Sequence, residues 1–276
     1  MTPEPAVVVT GTSTGIGRAT VRLLASSGFT VFAAARRADS IDDLRTENGD
    51  VHPVLLDVTD PVSIRQAKSA VEQHLQGRAL RAVVNNAGVT HPGPLETIDL
   101  NDLQAVLDVN LCGVLAVTQA FLPLLQSPGG RVVNIGSGEG FVALPINGAY
   151  AVSKHGLEAL SRGLRLELRV SGRFASVVVP GIVATAIQQS ALPKYERILA
   201  TPANDPYQSQ IRGRLRITRR GLRGSKPDRV AAAVQRAIIA TKPRHHYYAG
   251  RGARIPVLLS RLPTALGDFL LRQAVR

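Results

Sequence analysis

The chain has 276 residues and a formal net charge of +13 at pH 7. Its length suits one large α/β domain, and a hydrophobic content of 45% can build a sizeable core. The charge suggests nucleic acid, but aromatic residues make up only 4% and no nucleic-acid-binding module is visible, so we expect no such partner. No apolar run approaches the roughly 20 residues needed to span a bilayer, and the N-terminus has no basic region or cleavage site. Together with a single cysteine, Cys112, these features predict a soluble cytoplasmic protein.

Short runs rich in β-branched residues alternate with segments whose apolar residues have helical spacing. This alternation predicts a doubly wound parallel α/β sheet of about seven strands with right-handed crossovers. The predicted strands are residues 6–10, 30–35, 52–57, 80–85, 130–136, 174–179 and 245–248, and the predicted helices are 15–26, 61–76, 101–125, 149–171 and 227–241.

The regular alternation breaks after residue 179. Residues 183–226 contain several prolines and have mixed polarity, and we predict a long irregular lid over a substrate site. Residues 255–276 are predicted to form an amphipathic helical tail. No linker divides the chain, so residues 1–276 are predicted to form one domain. Arginines cluster in the lid at Arg212, Arg214, Arg216, Arg219, Arg220 and Arg223.

A glycine-rich turn follows the first predicted strand and leads directly into a helix. Glycines at such a turn let a pyrophosphate approach the helix N-terminus, where free N–H groups and the helix dipole bind an anion. The lysine of a nucleotide-hydrolysing P-loop is missing from this turn. The candidate binding residues are Gly11, Thr12, Ser13, Thr14, Gly15, Ile16 and Gly17.

From about residue 6 to residue 250 the sequence resembles the short-chain dehydrogenase/reductase family, whose glycine motif is T-G-x-x-x-G-x-G. The resemblance implies a Rossmann fold, a nicotinamide cofactor and the interconversion of carbonyl compounds and alcohols, and the lid and tail are similar to those of its steroid and retinol dehydrogenase-like branch. The further motifs that carry the resemblance are Asn85-Asn86-Ala87-Gly88, Asn110, Ser137, Tyr150-x-x-x-Lys154 and Pro180-Gly181-x-Val183-x-Thr185.

The residues after the second strand predict the choice of cofactor. Where an NAD enzyme places an acid on the ribose, this sequence has Ala35 followed by Arg36 and Arg37, which can pair with the 2′-phosphate of NADP(H). The alternative is a solvated pair of arginines. The resemblance further implies adenine contacts from Asp57 and Val58, ribose contacts from Asn86, Ala87 and Gly88, and nicotinamide contacts from Pro180, Gly181, Val183 and Thr185.

Tyr150 and Lys154 are four residues apart on a predicted helix, so they lie on one face. A free tyrosine has a pKa of about 10, which a nearby ammonium lowers. We therefore predict Tyr150 as the acid/base and Lys154 as its partner and a ribose ligand, with Ser137 holding the substrate carbonyl. The resemblance implies that Asn110 bends its helix and holds a water near Lys154. No metal is expected.

The predicted substrate pocket is apolar. Gly138, Phe141 and Leu144 after the fifth strand would line it with Ser137 and Tyr150, which suits a lipophilic ketone or alcohol. The arginine cluster leaves open an acidic substrate, such as a carboxylate or a CoA ester.

Two rival functions remain at this stage: a catalytically silent NADP(H)-binding regulator, and a basic protein that binds anionic surfaces. The apolar and basic tail suits either a membrane surface or a partner subunit. The resemblance implies a homodimer or homotetramer.

Overall fold

A computed structural model describes residues 4–275. Seven parallel strands form one sheet in the order β3-β2-β1-β4-β5-β6-β7, which confirms the predicted α/β fold. The strands are β1 (Ala6–Thr10), β2 (Thr30–Ala35), β3 (Val51–Leu55), β4 (Leu80–Asn85), β5 (Arg131–Ile135), β6 (Phe174–Pro180) and β7 (His246–Ala249).

The helices cover both faces of the sheet. They are α1 (Gly15–Ser26), α2 (Ala38–Leu44), α3 (Pro61–Leu75), α4 (Leu100–Leu107), α5 (Gly113–Phe121), α6 (Gly148–Glu167), α7 (Ala186–Leu199), α8 (Gln208–Gly221), α9 (Asp228–Ile239), α10 (Ile255–Leu259) and α11 (Thr264–Val275). A π-helical turn, Asp108–Cys112, joins α4 to α5.

The sheet core explains why the strands read as continuous apolar runs. Every residue of β1 and β2 is buried, because α1 and α9 cover one face and α3 and α5 cover the other. The strand order reverses between β1 and β4, which are neighbours in the sheet. Ligands of open α/β sheets bind at the carboxyl ends of the strands at such a reversal, so the fold itself points to this edge.

The prediction of an irregular lid was wrong. Residues 183–226 contain α7, α8 and a 3-10 segment, Pro202–Tyr207. Ile211, Leu215 and Thr218 are buried at helical spacing on α8, and Tyr195 of α7 packs against the first two. Several arginines interrupt this apolar pattern in the sequence, so the helical period is hard to recognise there.

The tail is two helices rather than one. Pro263 lies between α10 and α11, and it lacks the N–H that a continuing helix needs. Pro256 of α10 packs against Gly138 in the turn after β5, where an added Cβ would lie 2.6 Å from Pro256 Cγ. The tail therefore contributes to the wall around the end of β5.

One helical segment in the described residues, Leu100–Leu124, is long and apolar enough to cross a membrane, contrary to the sequence expectation. Val117 and Phe121 of this segment are fully buried against the sheet. In all, 39% of the most apolar window of this segment is buried, and a core helix can pass the same test of length and composition as a membrane span.

Candidate active site

The glycine-rich turn brings β1 and the start of α1 into very close contact. Gly11 has a φ of +66°, which favours glycine, and a Cβ added to Gly17 would lie 2.3 Å from the Gly11 carbonyl oxygen. Thr14 precedes α1 without a side-chain cap, and Ser13 lies beside it in the turn. The first N–H groups of α1 therefore have no side-chain acceptor from the cap residue, an arrangement suited to an anion.

One residue of the glycine motif and one residue after β4 hold the turn in place. Thr12 is fully buried, and its hydroxyl donates to the carbonyl oxygen of Ala34 at 3.0 Å. Asn86 Nδ2 donates to the carbonyl oxygens of Thr10 and Gly11, both at 2.9 Å. The side chains of Thr12 and Asn86 thus position the loop, a role that sequence reasoning did not assign to them.

The end of β2 carries the two arginines predicted to read the cofactor's phosphate. Arg36 and Arg37 are both exposed, and Arg37 Nε lies 3.1 Å from Asp39 Oδ1. Across residues 4–275, Arg36 has neither an ion pair nor a side-chain hydrogen bond. Arg36 is therefore available to an incoming anion.

Asp57 and Val58, which follow β3, lie where the adenine is expected. The Asp57 carboxylate accepts from the Thr59 N–H at 2.9 Å and from the Thr59 hydroxyl at 2.7 Å, while Val58 is buried. The carboxylate shapes this turn, so a contact with adenine would come from the neighbouring backbone and apolar surface.

Ser137 and Tyr150 meet at the carboxyl end of β5. Ser137 follows β5 directly, and its hydroxyl is hydrogen-bonded to the Tyr150 side chain. Burial raises the pKa of Tyr150, the Glu139 carboxylate raises it further, and the bond with Ser137 opposes both. The expected lowering of the pKa by Lys154 is therefore not found. Tyr150 is in its protonated form at neutral pH, the form that donates a proton.

Lys154 lies one turn beyond Tyr150 on α6, as the spacing predicted. Its Nζ is 5.6 Å from the centre of the Tyr150 ring and donates to the Ile135 carbonyl oxygen at 2.9 Å. Burial lowers the pKa of Lys154 to about 8, although the Glu158 carboxylate raises it. The carbonyl at the end of β5 thus holds the ammonium beneath the tyrosine ring.

Asn110 lies at the centre of the π-helical turn and is fully buried. Its Oδ1 accepts from Val89 N at 2.9 Å, and its Nδ2 donates to the Val89 carbonyl oxygen at 2.9 Å and to Ser153 Oγ at 3.0 Å. The helix is distorted at this residue, and the amide ties the segment after β4 to α6. The structure places Asn110 beside α6, the helix that carries Tyr150 and Lys154.

A cavity of about 560 Å³ joins the predicted cofactor and substrate residues. Phe141 packs instead against His246, with ring centres 5.5 Å apart, so the structure does not place it on the cavity as we expected. Gly138 borders the cavity and is packed by Pro256. The predicted residues on the lining are Ile16, Asn86, Gly88, Ser137, Gly138, Leu144, Tyr150, Lys154, Pro180, Gly181, Val183 and Thr185.

Sequence reasoning missed a buried ion pair on the same cavity. Arg214 Nη2 of α8 lies 3.2 Å from Glu139 Oε1, in the turn after β5. In the sequence Arg214 was one member of the arginine cluster, and its partner is 75 residues away. The only available signal was its position between Ile211 and Leu215, on the buried face of a helix that we did not predict.

A group with potential ligand atoms for a metal lies between α6 and β7. His246 Nε2 is 2.7 Å from Glu158 Oε2, and the ligand atoms of these two residues and His245 lie within 4.8 Å of one another. Burial is the main reason that the pKa of His245 is lowered to about 4. His246 and the nearby Arg165 and Arg162 lower this pKa further. The positive charges of these arginines would also repel a bound cation. The expectation of no metal stays a prediction.

The residues present fit a bound dinucleotide. Gly17 has no room for a Cβ, α1 begins without a side-chain cap, and the cavity reaches from Ile16 to Tyr150 and Thr185. The fold and the site therefore define a dinucleotide-binding α/β oxidoreductase. The turn at residues 11–17 would hold the pyrophosphate, and residues 180–185 would face the nicotinamide.

The family model for short chain dehydrogenases matches residues 5–196. This chain belongs to the short-chain dehydrogenase/reductase family, in its steroid and retinol dehydrogenase-like branch. It is 36% identical to retinol dehydrogenase 16 of Mus musculus over 276 residues, which cover 96% of this chain and 87% of that protein. It is 35% identical to 17-beta-hydroxysteroid dehydrogenase type 6 of Homo sapiens over 280 residues, with coverages of 97% and 88%.

Solved structures of the same fold contain either nicotinamide cofactor. A short-chain dehydrogenase/reductase from Burkholderia phymatum in complex with NAD has a TM-score of 0.79 and 25% identity, covering 98% of this chain and 95% of that chain. A short-chain dehydrogenase from Burkholderia cenocepacia in complex with NADP has a TM-score of 0.73 and 25% identity, covering 98% and 99%. A nicotinamide cofactor is therefore supported for this chain.

Proposed function

We propose that this chain is an NADP(H)-preferring oxidoreductase that interconverts a ketone or aldehyde and an alcohol, with Tyr150 as the acid/base. The meeting of Ser137, Tyr150 and Lys154 at one end of the cavity carries the proposal. A bound nicotinamide would supply or accept the hydride at the reacting carbon. In reduction, Tyr150 gives its proton to the carbonyl oxygen while Ser137 holds that oxygen. In alcohol oxidation Tyr150 takes the proton back, and Ser137 still holds the oxygen.

Tyr150 carries its proton at neutral pH, as a general acid for reduction requires. Burial and the Glu139 carboxylate raise its pKa, so the proton is harder to release in this structure than from a free tyrosine. Lys154 Nζ lies 5.6 Å from the centre of the Tyr150 ring, where it would hydrogen-bond the nicotinamide ribose and keep the cofactor beside the tyrosine. Asn110 fixes α6 through Ser153 and would hold the water proposed to connect Lys154 to solvent.

A lipophilic substrate is the second part of the proposal. Val142, Leu144 and Ile187 line the cavity near Tyr150, and the relatives named above are dehydrogenases of retinol and of a hydroxysteroid. A ring or chain of retinoid, steroid or fatty type would bury apolar surface there. A silent NADP(H)-binding regulator is less well supported, because it would have no use for the assembled acid/base pair.

Replacing Arg36 with alanine tests the preference for NADP(H). We expect NADPH to bind roughly ten times more weakly, because a charge-assisted contact with the 2′-phosphate is lost, while NADH binding stays unchanged. Titration of both cofactors, followed by nicotinamide fluorescence, gives the two dissociation constants. Arg45→Ala is the matched control, since Arg45 is also exposed and pairs with Asp42 at 3.6 Å. Equal weakening of NADH, or none of NADPH, would contradict the assignment.

We further propose that the tail contacts an anionic membrane surface while the rest of the protein stays cytoplasmic. Leu258 and Phe269 are 60% and 57% exposed, and Arg261 lies in the sequence between them. The double substitution Leu258→Ser and Phe269→Ser should abolish flotation with anionic vesicles, whereas Val170→Ser, at an apolar residue 95% exposed elsewhere, should not. Flotation of the double variant would refute membrane contact through the tail.

The same variants separate membrane contact from subunit contact. We propose a homodimer or homotetramer formed through α4 and α6, where Leu100 and Val152 are exposed apolar residues. Light scattering of the tail variant should therefore give the same oligomer as the wild type. Dissociation of the tail variant to monomers would show that the tail covers a partner subunit instead.

A further inference from the structure

The ion pair of Glu139 and Arg214 is held from several sides. The exposed fractions of the two side chains are 15% and 7%, and both border the cavity that contains Tyr150. Asn147 Nδ2 donates to both carboxylate oxygens of Glu139, at 3.0 and 2.9 Å. The turn after β5, the start of α6 and helix α8 of the lid therefore meet at this pair.

Stability alone does not account for such a pair. Moving two charges out of water costs free energy that their attraction often fails to recover, and apolar residues of similar size commonly stabilise a fold as well or better. This pair also lies beside the reacting groups, since the Glu139 carboxylate contributes to the raised pKa of Tyr150. A role toward the molecule in the cavity would explain both its burial and its position.

The pair has hydrogen-bonding capacity left over. An arginine has five N–H donors, and the partners of Arg214 are the Glu139 carboxylate and the Tyr195 hydroxyl. Within the described residues, Arg214 Nε is buried with no acceptor. The two oxygens of Glu139 have about four lone pairs, of which Arg214 and Asn147 use three. The site can therefore both donate to and accept from one further group.

We propose that Glu139 and Arg214 bind a hydroxyl group of a neutral substrate, at a position separate from the carbonyl that reacts at Tyr150. The hydroxyl oxygen accepts a hydrogen bond from Arg214, and its proton is donated to Glu139. This inference rests on the proposed function and deepens it, because the same cavity is used. It makes Arg214 a specificity-determining residue and describes the substrate as a lipophilic hydroxyketone.

Charge balance selects a hydroxyl over a carboxylate. The pair is neutral as a whole, so a neutral group adds no uncompensated charge to a site shielded from water. A substrate carboxylate would add a second negative charge near Glu139 and would compete with it for Arg214. The acidic substrates that the arginine cluster suggested are therefore not expected at this position.

A comparison of matched ketones tests the proposal. The probes are the bicyclic ketone decalone, its set of monohydroxy isomers and a decalone carboxylate, each reduced with NADPH. We expect the wild type to prefer at least one hydroxy isomer over decalone by about ten- to a hundredfold in kcat/KM, as for a hydrogen bond to a charged group. In Arg214→Met that ratio should fall toward one.

Two further variants keep the result interpretable. Arg212 lies on the same helix with an exposed side chain, so Arg212→Met should keep the wild-type ratio. Arg214→Lys preserves the charge opposite Glu139 but loses the fork of donors, so it should also lower the ratio. It replaces Arg214→Met in the test if the methionine variant does not fold. No preferred hydroxy isomer, a preference that survives both Arg214 substitutions, or a preference for the carboxylate would overturn the proposal.

Binding separates this inference from the proposed function. Calorimetry of the hydroxy isomers with the NADPH-loaded protein measures the same preference without turnover. If no ketone is reduced but the hydroxy isomer binds more tightly than decalone, and Arg214→Met removes that difference, the recognition site stands and the reaction assignment fails. If the ketones are reduced but no hydroxy isomer is preferred, the reaction assignment stands and the recognition site fails.

Discussion

Tyr150→Phe is expected to lower the turnover of any ketone by about 10²- to 10⁴-fold while NADPH binds almost as tightly as in the wild type. The substitution removes the proton that the carbonyl oxygen must receive and leaves the shape of α6 unchanged. Reduction rates under saturating cofactor, together with a fluorescence titration of NADPH, measure both effects. Lys154 should stay bonded to the Ile135 carbonyl in this variant, since phenylalanine fills the same space.

The result also separates an enzyme from a silent regulator. Loss of NADPH binding together with turnover would show that Tyr150 holds the cofactor rather than moving a proton. Unchanged turnover would remove Tyr150 from the mechanism. Tyr248→Phe is a matched control. Tyr248 on β7 stacks on His246 and is not among the residues described as lining the cavity, so this variant should keep the wild-type rate.

Gly17→Ala is expected to weaken the binding of both NADPH and NADH. Its Cβ would lie 2.3 Å from the Gly11 carbonyl oxygen and 2.5 Å from Asn86 Nδ2, so the turn and the end of β4 must move apart. Overpacking of this kind typically costs about 1–3 kcal/mol, which corresponds to about a ten- to a hundredfold rise in the dissociation constants if binding bears the cost. Titration of each cofactor measures the rise.

Gly163→Ala is the control for this substitution. Gly163 lies in α6, and a Cβ added there would meet only the end of Glu167 at 3.8 Å, an ordinary contact. Alanine should therefore stabilise the helix by up to about 1 kcal/mol and leave cofactor binding unchanged. Wild-type affinity for NADPH in Gly17→Ala would show that the turn adapts without loss and that the glycine is not required for the cofactor.

The sheet and the position of the site were predictable from the sequence for a physical reason. Strands such as β1 and β2 are buried on both faces, so their residues are uniformly apolar and stand out between helices with a 3.6-residue period. In a parallel sheet every strand ends at the same edge. The turn after β1, Ser137 after β5 and Thr185 beyond β6 therefore had to lie near one another.

The lid was not predictable in the same way. Arg214 occupies a buried position on α8 that an apolar residue normally fills, and its charge is paired there with Glu139. Only the folded chain brings that partner close. The sequence pattern alone predicted an irregular lid with a cluster of arginines, so the helix and the ion pair were missed together.

The pKa of Tyr150 differed from expectation for a similar reason. Helical spacing correctly placed Lys154 one turn away, but it says nothing about desolvation or about a carboxylate from another element. In the structure, burial and Glu139 together outweigh the other influences on the tyrosine. Spacing therefore predicted which residues meet and not the protonation state that results.

Hydride transfer by the wild-type protein tests the central proposal most directly. The protein is incubated with decalone or its hydroxy isomers and NADPH carrying deuterium at both C4 positions, and the alcohol is analysed by mass spectrometry. We predict one deuterium in each alcohol molecule and one NADP⁺ formed per alcohol. Tight binding of NADPH with no deuterated alcohol from any ketone would contradict the proposal and identify the chain as a cofactor-binding protein without this activity.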